Sequence, residues 1–343
     1  MTLTETRGFR AYKVVGRRDE AQDVVTFTLS APDNGARAGH HLIVVAPLDP
    51  GLRREYSISA ITADELEITV KREGIVSSWL HETIHPGNVL TASAPRGSFL
   101  LEDRDMPLVL LSCGIGITPM MAMAQEALGR GREVHFVHIA RDRAHHAFRK
   151  QIDLYRDNGL VSHVTYKYGG DTAECDHVGE FTVDQLREIL PGCAVEVKIC
   201  GPSRFMQAMY DAAVELGVAR NHIAWEAFGP STLVPRTTPN ERAVNQDTSG
   251  TAHSADTPET PLVTFAESQV TARWDPTSHS LLDFAEEQGV FPNYACRQGS
   301  CESCMTRVTD GEFEYVDEPF EAPGEGFVLL CCSRPVTDIE LAI

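Results

Sequence analysis

No stretch of the 343 residues approaches the roughly eighteen consecutive apolar residues that a membrane-spanning helix needs, and Met1 to Arg10 lacks the apolar core of a secretory leader. The expected location is therefore the cytoplasm, with no membrane partner. Positive charge is also scarce: 30 Lys and Arg stand against 49 Asp and Glu, a formal net charge of −19. Without a basic footprint for phosphates, nucleic acid is excluded as a partner. No internal repeat is present.

What the chain does have is enough apolar content, 42 % with a mean hydropathy of −0.19, to bury the cores of two or three domains. It has nine cysteines, an odd number, and five of them fall between Cys296 and Cys332. In a chain this long and in a reducing compartment, such clustering points to metal or cluster ligation rather than a disulfide framework. The acidity is also uneven. Residues 262–343 carry fifteen Asp/Glu against four Arg/Lys, about −11 of the total. Such a field steers a basic partner surface, or simply keeps an acidic face solvated.

Residues 1–102 hold short alternating runs, Val24 to Leu29, His41 to Val45, Glu55 to Ser59 and Glu67 to Lys71, broken by Gly, Pro and Asp, and predict a small antiparallel β-barrel. Over 103–231 the pattern becomes apolar strand then amphipathic helix, beginning with Pro107 to Cys113 and Pro119 to Leu128 and ending with a strand at His222 to Ala227. This predicts an α/β domain with a parallel sheet, whose ligands bind beyond the carboxyl ends of the strands. Residues 232–261, rich in Ser, Thr, Pro, Asp and Asn, read as a flexible linker. A third domain over 262–343 opens with a strand-like stretch, Val263 to Trp274.

That third domain carries Cys296-x4-Cys301-x2-Cys304 and, downstream, Cys331-Cys332-Ser-Arg-Pro335. The spacing with a distant fourth cysteine is the plant-type arrangement for a [2Fe-2S] cluster, whose two irons need four thiolates. Gly299 gives the ligand loop its backbone freedom. The alternative, a structural zinc site, lacks its second pair of knuckles. Either Cys331 or Cys332 supplies the fourth sulfur by spacing alone.

Upstream, Cys113-Gly114-Ile-Gly116-Ile-Thr118-Pro119 follows an apolar strand and runs into a helix, the setting in which glycines let backbone approach a pyrophosphate. Ile199-Cys200-Gly201-Pro202 is a second strand end of the same kind. In the barrel region, Arg54-Glu-Tyr56-Ser57 offers a guanidinium, an aromatic ring and a hydroxyl, and Lys71-Arg-Glu-Gly74-Ile-Val76-Ser77 offers a turn for phosphate oxygens. Exposed strand-end polar residues would look the same. Arg141-Asp142-Arg143 ends the second strand of the α/β region; an Arg there suits a 2′-phosphate and an Asp a free ribose hydroxyl.

Taken in order over residues 1–230, the motifs R-x-Y-S, G-x-x-S, G-x-G-x-T-P and C-G-P resemble the ferredoxin-NADP reductase superfamily. Tyr56 to Met120, with Trp225-Glu226-Ala-Phe228-Gly-Pro230, is similar to the reductase module of flavohaemoglobins. The last domain resembles plant-type ferredoxins (a β-grasp, α+β fold), and the whole order resembles the reductase components of multicomponent oxygenases.

The resemblance implies that Arg54, Tyr56, Ser57, Lys71, Gly74, Val76 and Ser77 hold a flavin, with Ser57 near its N5. It places Gly114, Gly116 and Thr118 on the pyrophosphate of NADH or NADPH with Arg141 at its ribose, Cys200, Gly201 and Pro202 near the nicotinamide, and Glu226 and Phe228 beside the isoalloxazine. Ser57, Cys200, Glu226 and Phe228 are thus the catalytic candidates. Cys296, Cys301, Cys304 and Cys331 are the cluster ligands it implies, and FAD is favoured over FMN. Gly39-His40-His41 stands where relatives often carry Gly-Gln-Tyr, and surface solvation is the expected role of both histidines. The implied activity passes electrons from NAD(P)H through flavin and cluster to a terminal oxygenase, Rieske-type by preference, docking on the acidic ferredoxin domain. Another hydroxylase or a cytochrome P450 is the alternative client, and a redox sensor or zinc-stabilised binding protein the alternative class.

Overall fold

The computed structural model describes residues 9–47, 52–173, 175–226, 260–276, 278–292, 294, 299, 304–316, 319 and 322–343. Phe228, Cys296, Cys301 and almost all of the expected linker lie outside them. The chain divides into two compact units, Met1–Pro235 and Arg236–Ile343.

The first unit begins with a closed antiparallel barrel of β1 (Phe9–Ala21), β2 (Val24–Ser30), β3 (His41–Val45), β4 (Arg53–Ile61), β5 (Glu65–Lys71) and β6 (Val89–Ser93), in the order β1-β2-β5-β4-β3-β6. Alternate residues, among them Phe27, Leu29, Leu42, Val44, Ile58 and Ile68, fill its interior completely. The longest strand, β1, is absent from the alternating runs read in the sequence because register shifts at Val14/Gly16 and Asp19/Ala21 interrupt its period of two. A short helix, α1 (Ile75–Thr83), buries Val76 and Leu80 on the barrel.

Next comes a sheet of β7 (Leu108–Cys113), β8 (Val134–Ala140), β9 (Val161–Tyr166), β10 (His177–Val178), β11 (Glu196–Cys200) and β12 (Ile223–Glu226), with α2 (Ile117–Gly129), α3 (Arg149–Asp157), α4 (Val183–Ile189) and α5 (Ser203–Glu215) between strands. The order is β10-β9-β8-β7-β11-β12 and every pairing is parallel. Leu108 and Leu110 of β7 belong to the core that includes α2, while Val109 and Leu111 belong to the one that includes α5. A strand covered on both faces has to be apolar throughout, which is why β7 was legible as a run. The chain reverses direction across the sheet between β7 and β11, the switch point at which such sheets bind ligands.

In the second unit β13 (Leu262–Phe265), β14 (Val270–Arg273), β15 (Met305–Asp310), β17 (Phe327–Leu329) and β19 (Ile339–Leu341) form a sheet in the order β14-β13-β19-β15-β17, and β16 (Phe313–Tyr315) pairs with β18 (Ser333–Pro335). Helix α6 (Leu281–Glu287) buries Leu281, Leu282, Phe284 and Ala285 in the core that holds Val263 and Phe265. Residues 263–274, read as one strand-like stretch, are instead a hairpin in which Phe265 faces Val270 and Gln269 takes a left-handed φ of 55°. The apolar residues shift from odd positions (Val263, Phe265) to even ones (Val270, Ala272, Trp274) across the polar Glu267-Ser-Gln269, and that break in parity is the turn.

Candidate functional site

Strand β4 carries Arg54 and Tyr56 on one face, with Tyr56 packed against the barrel core, and Ser57 on the other. The Arg54 guanidinium donates to the Arg53 carbonyl at 2.7 Å. Burial raises the Tyr56 hydroxyl above its ordinary pKa, with the nearby Arg54 charge opposing it. Ser57, itself buried, donates its hydroxyl to Glu226 Oε2 at 3.3 Å, a contact between residues 169 positions apart. Glu226 ends β12 opposite Cys200 in the parallel register with β11, so barrel and switch point meet here. Burial pushes the Glu226 carboxyl up to about 8; the Glu55 carboxylate adds to the rise and the Ser57 hydrogen bond opposes it. At neutral pH it therefore keeps a proton that its oxygen can donate.

At the other barrel motif, Lys71 pairs with Glu73, and Ser77 Oγ accepts from the Glu73 and Gly74 amides at 2.9 and 2.8 Å while donating to the Gly74 carbonyl at 3.0 Å. Ser77 thus shapes the turn, and Val76 packs into the barrel core.

The two glycine loops interlock. A Cβ on Gly116 would lie 2.3 Å from the Cys200 carbonyl oxygen, and one on Gly201, whose φ is +159°, 3.0 Å from Cys113 Cβ. Glycine is required at both places by backbone approach between β7 and β11. Gly114, at φ +57°, turns the chain into α2, and the Thr118 hydroxyl donates to the Ile115 carbonyl at 3.0 Å. Pro202 caps α5. The start of α2 follows directly on the first of these loops, and a helix start beside glycines is a setting that suits a pyrophosphate. Burial, with Glu226 and Cys113 adding, drives the Cys200 thiol far above its ordinary pKa, so it presents a neutral S–H. Cys113 is pushed up to about 11 by burial, against the opposing charges of Lys167 and Lys71. Arg141, at the end of β8, is largely exposed.

His41 overturns one expectation. It is only 4 % exposed, with Nε2 3.7 Å from Glu55 Oε1 and its ring packed where a Cβ on Gly97 would fall. As the first residue of β3 it lies on the face opposite Leu42 and Val44, buried there beside Glu55 and the Gly97 turn, so it is not a surface-solvated residue. His40 is half-buried and accepts from the Arg37 amide at 3.1 Å. Glu55 was missed as well; its signal was its place two residues before Ser57, on the same face of β4.

In the second unit Cys304, Cys331 and Cys332 lie in one buried core. The Gly299 amide donates to Cys331 Sγ at 3.2 Å, as loop amides do to cluster thiolates, whereas Cys332 Sγ faces the Leu329 carbonyl at 3.6 Å. Gly299 has φ +70°, and a Cβ on it would lie 2.9 Å from Cys332 Sγ. These features fit a cluster whose fourth sulfur is Cys331.

Residues 263–336 match the 2Fe-2S iron-sulfur cluster binding domain family, and residues 110–211 match the oxidoreductase NAD-binding domain family. The flavohemoprotein of Pseudomonas putida is 39 % identical over 240 residues, 66 % of this chain and 61 % of that one. The chain thus spans about 61 % of the length of this curated relative. The FAD/NAD binding domain of nitric oxide dioxygenase from Vibrio cholerae is 30 % identical and superposes with a TM-score of 0.59 over 65 % of this chain and all of that one, 100 %. The chain belongs to the ferredoxin-NADP reductase-like FAD/NAD(P)H reductases, with a 2Fe-2S ferredoxin domain fused to the module. This fused reductase shares its whole fold with phthalate dioxygenase reductase, at 24 % identity and a TM-score of 0.59 over 98 % of each chain. It is accordingly an NAD(P)H oxidoreductase that transfers electrons by way of FAD and a 2Fe-2S cluster.

Proposed function

We propose that the chain is the reductase component of a multicomponent oxygenase, cytoplasmic, delivering electrons to a Rieske-type terminal oxygenase that docks on its acidic ferredoxin domain. The observation that carries this reading is the fusion itself: a flavin barrel and nucleotide sheet joined to a cysteine-lined ferredoxin domain give a two-electron entry and a one-electron exit within one chain. The bound flavin supplies the conversion from hydride transfer to single-electron delivery. The proposed domain limits are 1–102, 103–231, a linker over 232–261, and 262–343.

Arg54 would hold the flavin phosphate, Tyr56 would pack on the ring, and Ser57 would lie near N5. Lys71, Gly74, Val76 and Ser77 form the turn beside the flavin phosphates. Ser57 positions Glu226, whose carboxyl burial keeps protonated at neutral pH, at the reacting edge, and Phe228 would lie beside the ring. Gly114, Gly116 and Thr118 would receive the pyrophosphate and Arg141 the ribose, and the Cys200-Gly201-Pro202 loop, with its neutral thiol, would hold the nicotinamide where it can pass a hydride to the flavin. Cys296, Cys301, Cys304 and Cys331 hold the cluster.

The test is reconstitution of the cofactor-loaded chain with a panel of terminal Rieske oxygenases, other hydroxylases and cytochromes P450, measuring product formed per NADH consumed. Coupled turnover by a Rieske oxygenase, falling as salt screens the acidic surface, is expected. Support of a P450 alone would move the client to the alternative reading, and ferricyanide reduction without any coupled client would refute the reading.

A further inference from the structure

The loop after β8 is unusually well tethered. Arg141 accepts from the Tyr168 amide at 3.0 Å, the Ala144 carbonyl accepts from the Gln22 amide at 2.8 Å, and Arg143 pairs with Asp171 at 3.1 Å. Its far end is pinned from below: His146 Nδ1 meets the Tyr166 hydroxyl at 3.0 Å, and the His146 ring lies 5.1 Å from that of His138, itself 2.9 Å from Ser112 Oγ.

Within this frame the Asp142 carboxylate points back into its own loop. Oδ1 accepts from the His145 amide at 3.1 Å and meets His145 Nδ1 at 2.6 Å, while Oδ2 lies 3.9 Å from Arg141 Nε. The loop follows the strand beside the Gly114–Gly116 turn, where a parallel sheet of this kind presents a carboxylate to a free 2′-hydroxyl or an Arg to a 2′-phosphate. Here the carboxylate is occupied, and Arg141, 66 % exposed, is left facing outward.

We propose that His145 is a positioning residue for cofactor choice: by holding Asp142 it withdraws that carboxylate from the ribose and leaves Arg141 to receive a 2′-phosphate, so that the chain takes NADPH as well as NADH. The inference rests on the nucleotide site proposed above and adds its selectivity device.

The test is calorimetric titration of the cofactor-loaded chain with NADP+ and NAD+, alongside kcat/KM for NADPH and NADH with ferricyanide. His145→Ala frees Asp142 to turn outward and lowers the NADP+-to-NAD+ affinity ratio roughly fivefold, the worth of one partly exposed charge interaction. The loss appears in KM rather than kcat. Asp142→Asn raises the ratio, His145→Ala has no further effect on it in that background, and His145→Asn, which keeps a donor toward Asp142, restores it. A ratio unmoved by His145→Ala, or moved equally with and without the Asp142 carboxylate, would overturn the inference alone. If neither dinucleotide binds the unaltered chain, the underlying nucleotide site is wrong and the inference falls with it.

Discussion

Gly116→Ala is the substitution for which the structure gives the sharpest expectation. The added methyl would sit 2.3 Å from the Cys200 oxygen, 2.6 Å from its carbonyl carbon and 2.9 Å from the Gly201 nitrogen. All three are backbone atoms, held by the pairing of β11 with β7 and β12, so no side chain can swing aside. Overpacking of this kind costs about 1–3 kcal/mol, and a backbone obstacle puts Gly116→Ala near the upper figure. Gly114→Ala is the control. Nothing lies within 4 Å of its Cβ position, and only the φ of +57° resists, at a cost of about 1–2 kcal/mol. For a unit of this size each kcal/mol lowers Tm by about 2–4 °C, so Gly116→Ala loses about 6–12 °C by scanning calorimetry, and Gly114→Ala about half as much. Because the added methyl forces the two glycine loops apart, Gly116→Ala also raises KM for NADH. Equal thermal losses for the two variants, or an unchanged KM for Gly116→Ala, would refute the interlocked-loop reading.

Three further outcomes follow from burial and charge. Glu226 has its carboxyl raised from 4.5 to about 8 in the folded chain, so its stabilising contribution is complete below about pH 4.5 and is lost as pH rises through 8; Glu226→Gln flattens that part of a urea-denaturation pH series. His146 is lowered from 6.5 to about 3 by burial and by Arg149 and Arg156, so stability is complete above 6.5 and lost as pH falls toward 3; His146→Gln shallows the acid limb, read by circular dichroism. Cys331→Ser abolishes the visible absorption and the reduced-state electron paramagnetic resonance signal of the cluster, whereas Cys332→Ser retains both; the reverse pattern would transfer the fourth ligand to Cys332.

The parts of the site that lie close together in sequence were legible there. Arg54-Glu-Tyr56-Ser57 falls on one strand, and each of the two glycine loops directly ends a buried strand. What sequence could not show depends on contacts between distant segments or on which way a neighbour faces. The Ser57 to Glu226 bond joins two elements 169 residues apart. Cys331 and Cys332 are distinguished only because a helical turn over Leu330–Cys332 sends one sulfur toward the Gly299 amide and the other toward the Leu329 carbonyl. His41 reads as polar, yet its strand position buries it beside Glu55. β1 hid behind its own bulges, and the hairpin of β13 and β14 is marked only by a shift of apolar parity across Glu267 to Gln269.

The bond from the Gln22 amide to the Ala144 carbonyl ties the tip of the first barrel hairpin to the loop that ends β8. Because both partners are main-chain atoms, it is indifferent to which amino acids occupy the two positions, proline at 22 excepted. It depends instead on the number of residues in the hairpin. Barrels exchanged between related reductases would carry it over intact if their first turns were of equal length, however far their sequences had drifted. A single inserted or deleted residue there would slacken the loop that ends β8. For recombined reductases, hairpin length is therefore a better guide than percent identity to whether the loop after β8 keeps its tether.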